Sequence, residues 1–68
     1  MRVTFENKNG EEREIGFAET EKEALAIIDK FLKEHNFRSY YQRRAFLEEK
    51  QRYWIDVGSW SEFFYIYI

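Results

Sequence analysis

The C-terminal segment Phe63-Phe64-Tyr65-Ile66-Tyr67-Ile68 is apolar at odd and even positions alike. A strand with one solvated face alternates apolar and polar residues, because successive side chains point to opposite sides of the sheet. This segment does not alternate, which predicts an inner strand covered on both faces, or one whose second face is kept for a partner. It contains neither charge nor proline, so at a bare sheet edge it would template aggregation. The rest of the fold must supply that cover.

Sixty-eight residues predict a single domain, 1–68, with little interior. Eleven of the 14 aromatic residues lie between Phe37 and Tyr67. A chain this short cannot leave many of them in water, so most are expected in the core and only a few are free for function. The absence of cysteine excludes a disulfide staple and a thiolate metal site. The net charge of −2 is far from the strongly basic balance of a general nucleic-acid binder. No signal peptide or membrane-spanning run of about 18 apolar residues is evident, which predicts a soluble cytoplasmic protein without a membrane partner.

Arg2-Val3-Thr4-Phe5-Glu6 alternates, Asn7-Lys8-Asn9-Gly10 has turn chemistry, and Arg13-Glu14-Ile15-Gly16-Phe17 alternates again. This predicts a β-hairpin with Val3, Phe5, Ile15 and Phe17 inward, and with a bulge or close backbone approach at Gly16. Thr20 followed by Glu23 reads as a capping box. The helix it opens carries Ala24, Leu25, Ile27, Ile28, Phe31, Leu32 and His35 on one side and ends near Asn36. Three strands are expected after it, at Tyr40–Phe46, Arg52–Val57 and Phe63–Ile68, as an antiparallel meander. The alternative for residues 43–52 is a helical extension, because Ala45, Leu47, Glu48, Glu49, Lys50 and Gln51 include good helix formers. The expected fold class is α+β, in the order ββ-α-βββ, with one amphipathic helix packed on one face of an antiparallel sheet.

One helix leaves the opposite sheet face bare. Taking the strands residue by residue, that face is expected to carry Tyr40, Gln42, Arg44, Phe46, Trp54, Asp56, Phe63, Tyr65 and Tyr67. Tyrosine and tryptophan tolerate a wet boundary and serve as interface anchors. The candidate partner-binding residues are therefore Tyr40, Arg44, Phe46, Trp54, Asp56, Tyr65 and Tyr67, with Arg44 and Asp56 fixing orientation. The competing structural reading is that loops and long arginine stems cover these rings. Asp56 is either solvated or a cross-strand partner of Arg44 or Arg52. Nucleic acid stacked on the rings, with Arg38, Arg43, Arg44 and Arg52 on phosphates, is the alternative ligand.

Catalytic chemistry has no visible carrier. His35 is the lone histidine and suits the dipole at a helix end better than a metal site, which needs three or four convergent ligands. Ser59 and Ser61 lack a nucleophile context, and Gly10, Gly16 and Gly58 are too isolated to cradle phosphate. Trp60 reads as a plug for one end of the core, the alternative being a loop-borne anchor that fills a partner's pocket. A non-enzymatic protein, without cofactor, metal or small-molecule substrate, is the expectation.

Phe37-Arg38-Ser39-Tyr40-Tyr41 followed by Asp56-Val57-Gly58-Ser59-Trp60-Ser61-Glu62-Phe63-Phe64 resembles small proteins encoded by phages and prophages of Gram-positive bacteria. That group carries no established activity, so the resemblance implies a context and no site residues. It points to a binder that modulates a host protein, or to a phage structural or accessory protein. The expected function is thus a protein-binding module whose partner is another protein or a second copy of itself, a homodimer included.

Overall fold

A computed structural model of the chain describes residues 1–36, 42–59 and 61–68. The strands are β1 (Arg2–Glu6), β2 (Glu12–Phe17), β3 (Arg43–Leu47), β4 (Arg52–Asp56) and β5 (Phe63–Tyr67). The helix α1 spans Glu21–Glu34. The five strands form one antiparallel sheet in the order β2-β1-β5-β4-β3. The α+β fold in the order ββ-α-βββ is as the sequence predicts. Residues 43–52 do not extend the helix; they form β3, a 3₁₀ turn at Glu48–Lys50 and the start of β4.

Each element begins and ends for a local reason. In the first hairpin the Asn7 Oδ1 accepts the Asn9 and Glu11 N–H groups, and Gly10 takes φ +80°, which glycine adopts at little cost. At the helix start the Thr20 hydroxyl accepts the Glu23 N–H at 3.2 Å, and the Glu23 carboxylate reaches back to the Glu19 N–H at 3.0 Å. At its end Asn36 turns left-handed at φ +55°. His35 is exposed, stacks on the Phe31 ring at 4.0 Å and places Nδ1 3.0 Å from the Phe31 carbonyl.

The helix packs on β2, β1 and β5. The core holds Val3 and Phe5 of β1, Ala24, Ile28, Phe31 and Leu32 of α1, Ile55 of β4, Val57 after it, and Phe64 and Ile66 of β5. Three aromatic rings meet at its centre, with Phe5 4.8 Å from Phe31 and 5.2 Å from Phe64 between centroids. The strand β5 lies in the middle of the sheet, paired with β1 and β4. That position explains its lack of alternation and hides its edges.

The inward assignment of Phe17 needs correction. Phe17 is 69% exposed, because a bulge in the β1–β2 pairing between Val3 and Thr4 shifts the register there. Ile15 still packs on the core, Gly16 then faces the helix opposite Val3, and Phe17 pairs with Arg2 on the other side. Gly16 is also a close approach, since a Cβ built there lies 3.1 Å from two Ile27 side-chain carbons. Ile68, which keeps the parity of Phe64 and Ile66, follows the end of β5 and is exposed.

The central position of β5 sets an order of local stability. In native-state hydrogen exchange followed by NMR, the Phe64–Ile66 amides are expected among the slowest in the chain, and the β3 amides much faster. Fast exchange at Phe64–Ile66 would show that β5 is not held as the central strand.

Candidate functional site

The sheet face away from the helix is built in rows by strand register. Arg2, Tyr67, Arg52 and Leu47 lie across one row, and Glu14, Thr4, Tyr65, Trp54 and Ala45 across the next. Arg43 and Asp56 are paired on the same face. Trp54, Asp56, Tyr65 and Tyr67 therefore share one side, as the sequence predicts.

Arg44 and Phe46 do not join them. Arg44 pairs with Ile55 and Phe46 with Tyr53, which places both on the helix side. The cause is the connection. Leu47 pairs with Arg52, so the four residues from Glu48 to Gln51 match odd positions of β3 with even positions of β4. Gln51 closes that turn at φ +51°. A shift of one residue in register moves a whole strand's side chains to the opposite face. Arg44 instead forms an ion pair with Glu21 in the first turn of the helix, and Phe46 stacks edge-on against Tyr53 at 5.0 Å. The cross-strand partner of Asp56 is Arg43, not Arg44 or Arg52, and the Asp56 Oδ1 accepts the Gly58 N–H at 2.9 Å. Tyr40 and Trp60 lie outside the described residues, as does Arg38.

The centre of this face is covered by the protein's own polar side chains. The Arg52 guanidinium sits 3.8 Å above the Tyr65 ring and donates to the Tyr67 hydroxyl at 2.7 Å and to Glu12 at 3.1 Å. The Thr4 hydroxyl donates to Glu12 at 2.7 Å, and the Tyr67 hydroxyl donates to the same carboxylate. Arg2 caps the Tyr67 ring at 4.4 Å. Arg52 is only 8% exposed and Tyr65 6%. Tyr65, a candidate partner-binding residue, is thus buried beneath the Arg52 guanidinium, and Tyr67 is tied into the network.

Sequence reading missed Glu12, Thr4 and Arg2. Glu12 belongs to the acidic run at residues 11–14, which resembles any solvated strand edge. The available signal was indirect, since an arginine alternating into a covered face requires a carboxylate within reach.

Charge states follow from this geometry. Partial burial pushes the Glu12 carboxyl up, but hydrogen bonds from Tyr67 and Thr4 and the Arg52 charge outweigh it and hold it below its usual value. Burial pushes the Tyr65 hydroxyl up, and the nearby Glu6 carboxylate adds to that. Burial likewise opposes the Arg52 charge, yet Tyr67 and Glu12 hold the guanidinium in its charged form.

The part of the face left open is the outer end, where Trp54 and Phe63 stack at 5.4 Å and are half-buried. Beside them every residue of β3 is exposed, including Phe46 at 42% and Leu47 at 36%. Among the described residues no cluster of three or more histidine, cysteine or carboxylate side chains could hold a metal. No helix among them is long and apolar enough to cross a membrane. No protein-family model, curated protein or solved structure matches this chain.

Glu12 links stability to pH. Its depressed carboxyl favours the folded state above the usual value of 4.5. Below that, the unfolded chain takes up the proton first, and the contribution is lost as the pH falls through the folded value. At neutral pH, Glu12→Gln is expected to cost about 2 kcal/mol by leaving a buried arginine without its counter-charge. Urea titrations of both proteins should converge in acid; equal stability at neutral pH would show that the pair contributes nothing.

Proposed function

We propose that this chain is a non-enzymatic protein-binding module that docks through the outer end of its sheet. The observation that carries this reading is the exposure of every residue of β3, although Phe46 and Leu47 are large and apolar. The neighbouring Trp54–Phe63 stack extends the apolar area on the face away from the helix. Aromatic and aliphatic groups at a sheet margin, rimmed by arginines, have the composition of interface cores and their borders.

Anchors and scaffold are separate groups of residues. Trp54, Phe46 and Leu47 are the anchors. Tyr65 lies beneath Arg52 and Tyr67 bonds to it, so both serve the site by holding that cover in place. Arg44 and Asp56 lie on opposite faces of the margin and are held within the protomer, Arg44 by Glu21 and Asp56 by the Gly58 N–H, so they orient a partner only once released from those contacts. The resemblance to phage and prophage proteins supports a host protein as one class of partner.

Nucleic acid fits less well, because Arg52 and Arg44 are paired with Glu12 and Glu21. Their release would be needed before either met a phosphate.

Phe46→Lys and Trp54→Ala each remove one anchor at a position that is exposed or half-buried. Both are expected to keep the circular dichroism spectrum of the parent. Binding to any protein captured reproducibly by the parent should fall at least tenfold in each, while Glu14→Ala on β2 should leave it unchanged. Binding that survives both anchor changes would place the docking surface elsewhere.

A further inference from the structure

The two margins of the sheet are built differently. The strand β2 carries a bulge and the acidic side chains Glu12 and Glu14, the devices that keep an edge from pairing. The strand β3 is the last in the sheet on its side, and its register with β4 has no shift. It contains no bulge and no proline, and its charges are confined to the two arginines that open it, Arg43-Arg44-Ala45-Phe46-Leu47, so its second half is apolar.

This segment is complementary to itself when read antiparallel. A twofold axis perpendicular to the sheet through Ala45 sets Ala45 against Ala45 and Arg44 against Phe46 of the second copy. The arginine stem then lies along an aromatic ring, and Arg44 does not meet Arg44. Moving the register two residues one way sets Arg44 directly against itself, which is repulsive. Moving it two residues the other way brings Glu48, which begins the 3₁₀ turn, into the ladder. The pairing centred on Ala45 is the one that uses strand residues and opposes no like charges. The axis keeps the helices of both copies on the same side and joins the two sheets into one of ten strands.

We infer that the partner at this margin is a second copy of the chain, paired β3 to β3 in antiparallel register about Ala45. This rests on the reading of the outer end as a docking surface and names its occupant. Strand addition of this kind draws affinity from main-chain hydrogen bonds and specificity from alternate side chains. Phe46 and Leu47 supply the side-chain burial here.

The chain has no cysteine, so a single introduced thiol reports the register. Opposed residues in an antiparallel pair lie within the Cα separation that a disulfide accepts, about 4.4–6.8 Å. Ala45→Cys is expected to oxidise rapidly to a covalent dimer in dilute solution. Arg44→Cys and Phe46→Cys, which oppose each other and not themselves, should not. Light scattering of the parent should give twice the 8.5 kDa protomer mass, and Ala45→Lys should weaken that dimer at least tenfold by setting two ammonium groups face to face. A monomer across a dilution series would overturn the inference. So would a dimer cross-linked through residue 44 or 46, or one indifferent to Ala45→Lys. The binding-module reading is judged separately by Phe46→Lys and Trp54→Ala, so a monomer whose binding depends on those residues would overturn self-pairing alone.

Discussion

The fold depends on keeping both faces of β5 dry. Phe64 and Ile66 point under the helix, while Tyr65 and Tyr67 point away from it. One helix covers only one side of a sheet, so the other side must be closed by side chains. The Arg52 guanidinium does this by lying over Tyr65, and Glu12 with Tyr67 holds it there. A cation so nearly buried is costly unless its charge is matched, and here Glu12 supplies the counter-charge and Tyr67 a second acceptor, while the buried Arg52 Nε–H has no hydrogen-bond partner among the described residues. The network therefore ties β2, β1, β5 and β4 together through Glu12, Thr4, Tyr67 and Arg52. A hydrophobic cap would bury the same ring, but it would not fix the relative positions of four strands through directed hydrogen bonds.

Glu12 can reach that network because of where it sits. It lies opposite Glu6 near the first hairpin turn, before the bulge breaks the alternation of β2. Beyond the bulge the side chains change sides, so Gly16 meets the helix at Ile27 and Phe17 emerges into solvent. One inserted residue thus lets the same strand present a carboxylate to the far face and a glycine to the helix. A side chain larger than hydrogen at residue 16 would press on Ile27, so packing and register are set together.

The sequence made the elements legible wherever a local pattern determined them. The capping box at Thr20, the turn at Asn7–Gly10 and the unbroken apolarity of residues 63–68 each have a direct structural counterpart. The inner position of β5 was one of the outcomes that its unbroken apolarity allowed, the other being a face kept for a partner. What stayed hidden was set between strands. The face of Arg44 and Phe46 depends on the four-residue connection and the left-handed Gln51, and nothing within β3 reveals it. The outward Phe17 depends on a bulge whose site Gly16 suggested but whose effect on parity it did not. Glu12 was hidden because its partner lies 40 residues away in sequence. For the candidate site, Trp54 was legible as a partly open aromatic, whereas the burial of Tyr65 required knowing that Arg52 stood beside it.

The same physics explains why the sheet has one quiet edge and one available edge. Arg52 commits Glu12 and Tyr67 to the centre of the far face, and that network stops at β4. The strand β3 lies outside it and meets the helix through the Arg44–Glu21 ion pair. Its residues gain little burial within the protomer, so its apolar side chains contribute little to the chain's own stability. Phe46 and Leu47 in such a strand are a liability for an isolated chain. They become useful when another strand completes the sheet, because backbone groups and apolar side chains are then satisfied in one step. The residues that stabilise the module and those open to a partner are thereby separated by a single strand, with Trp54 on β4 at the boundary.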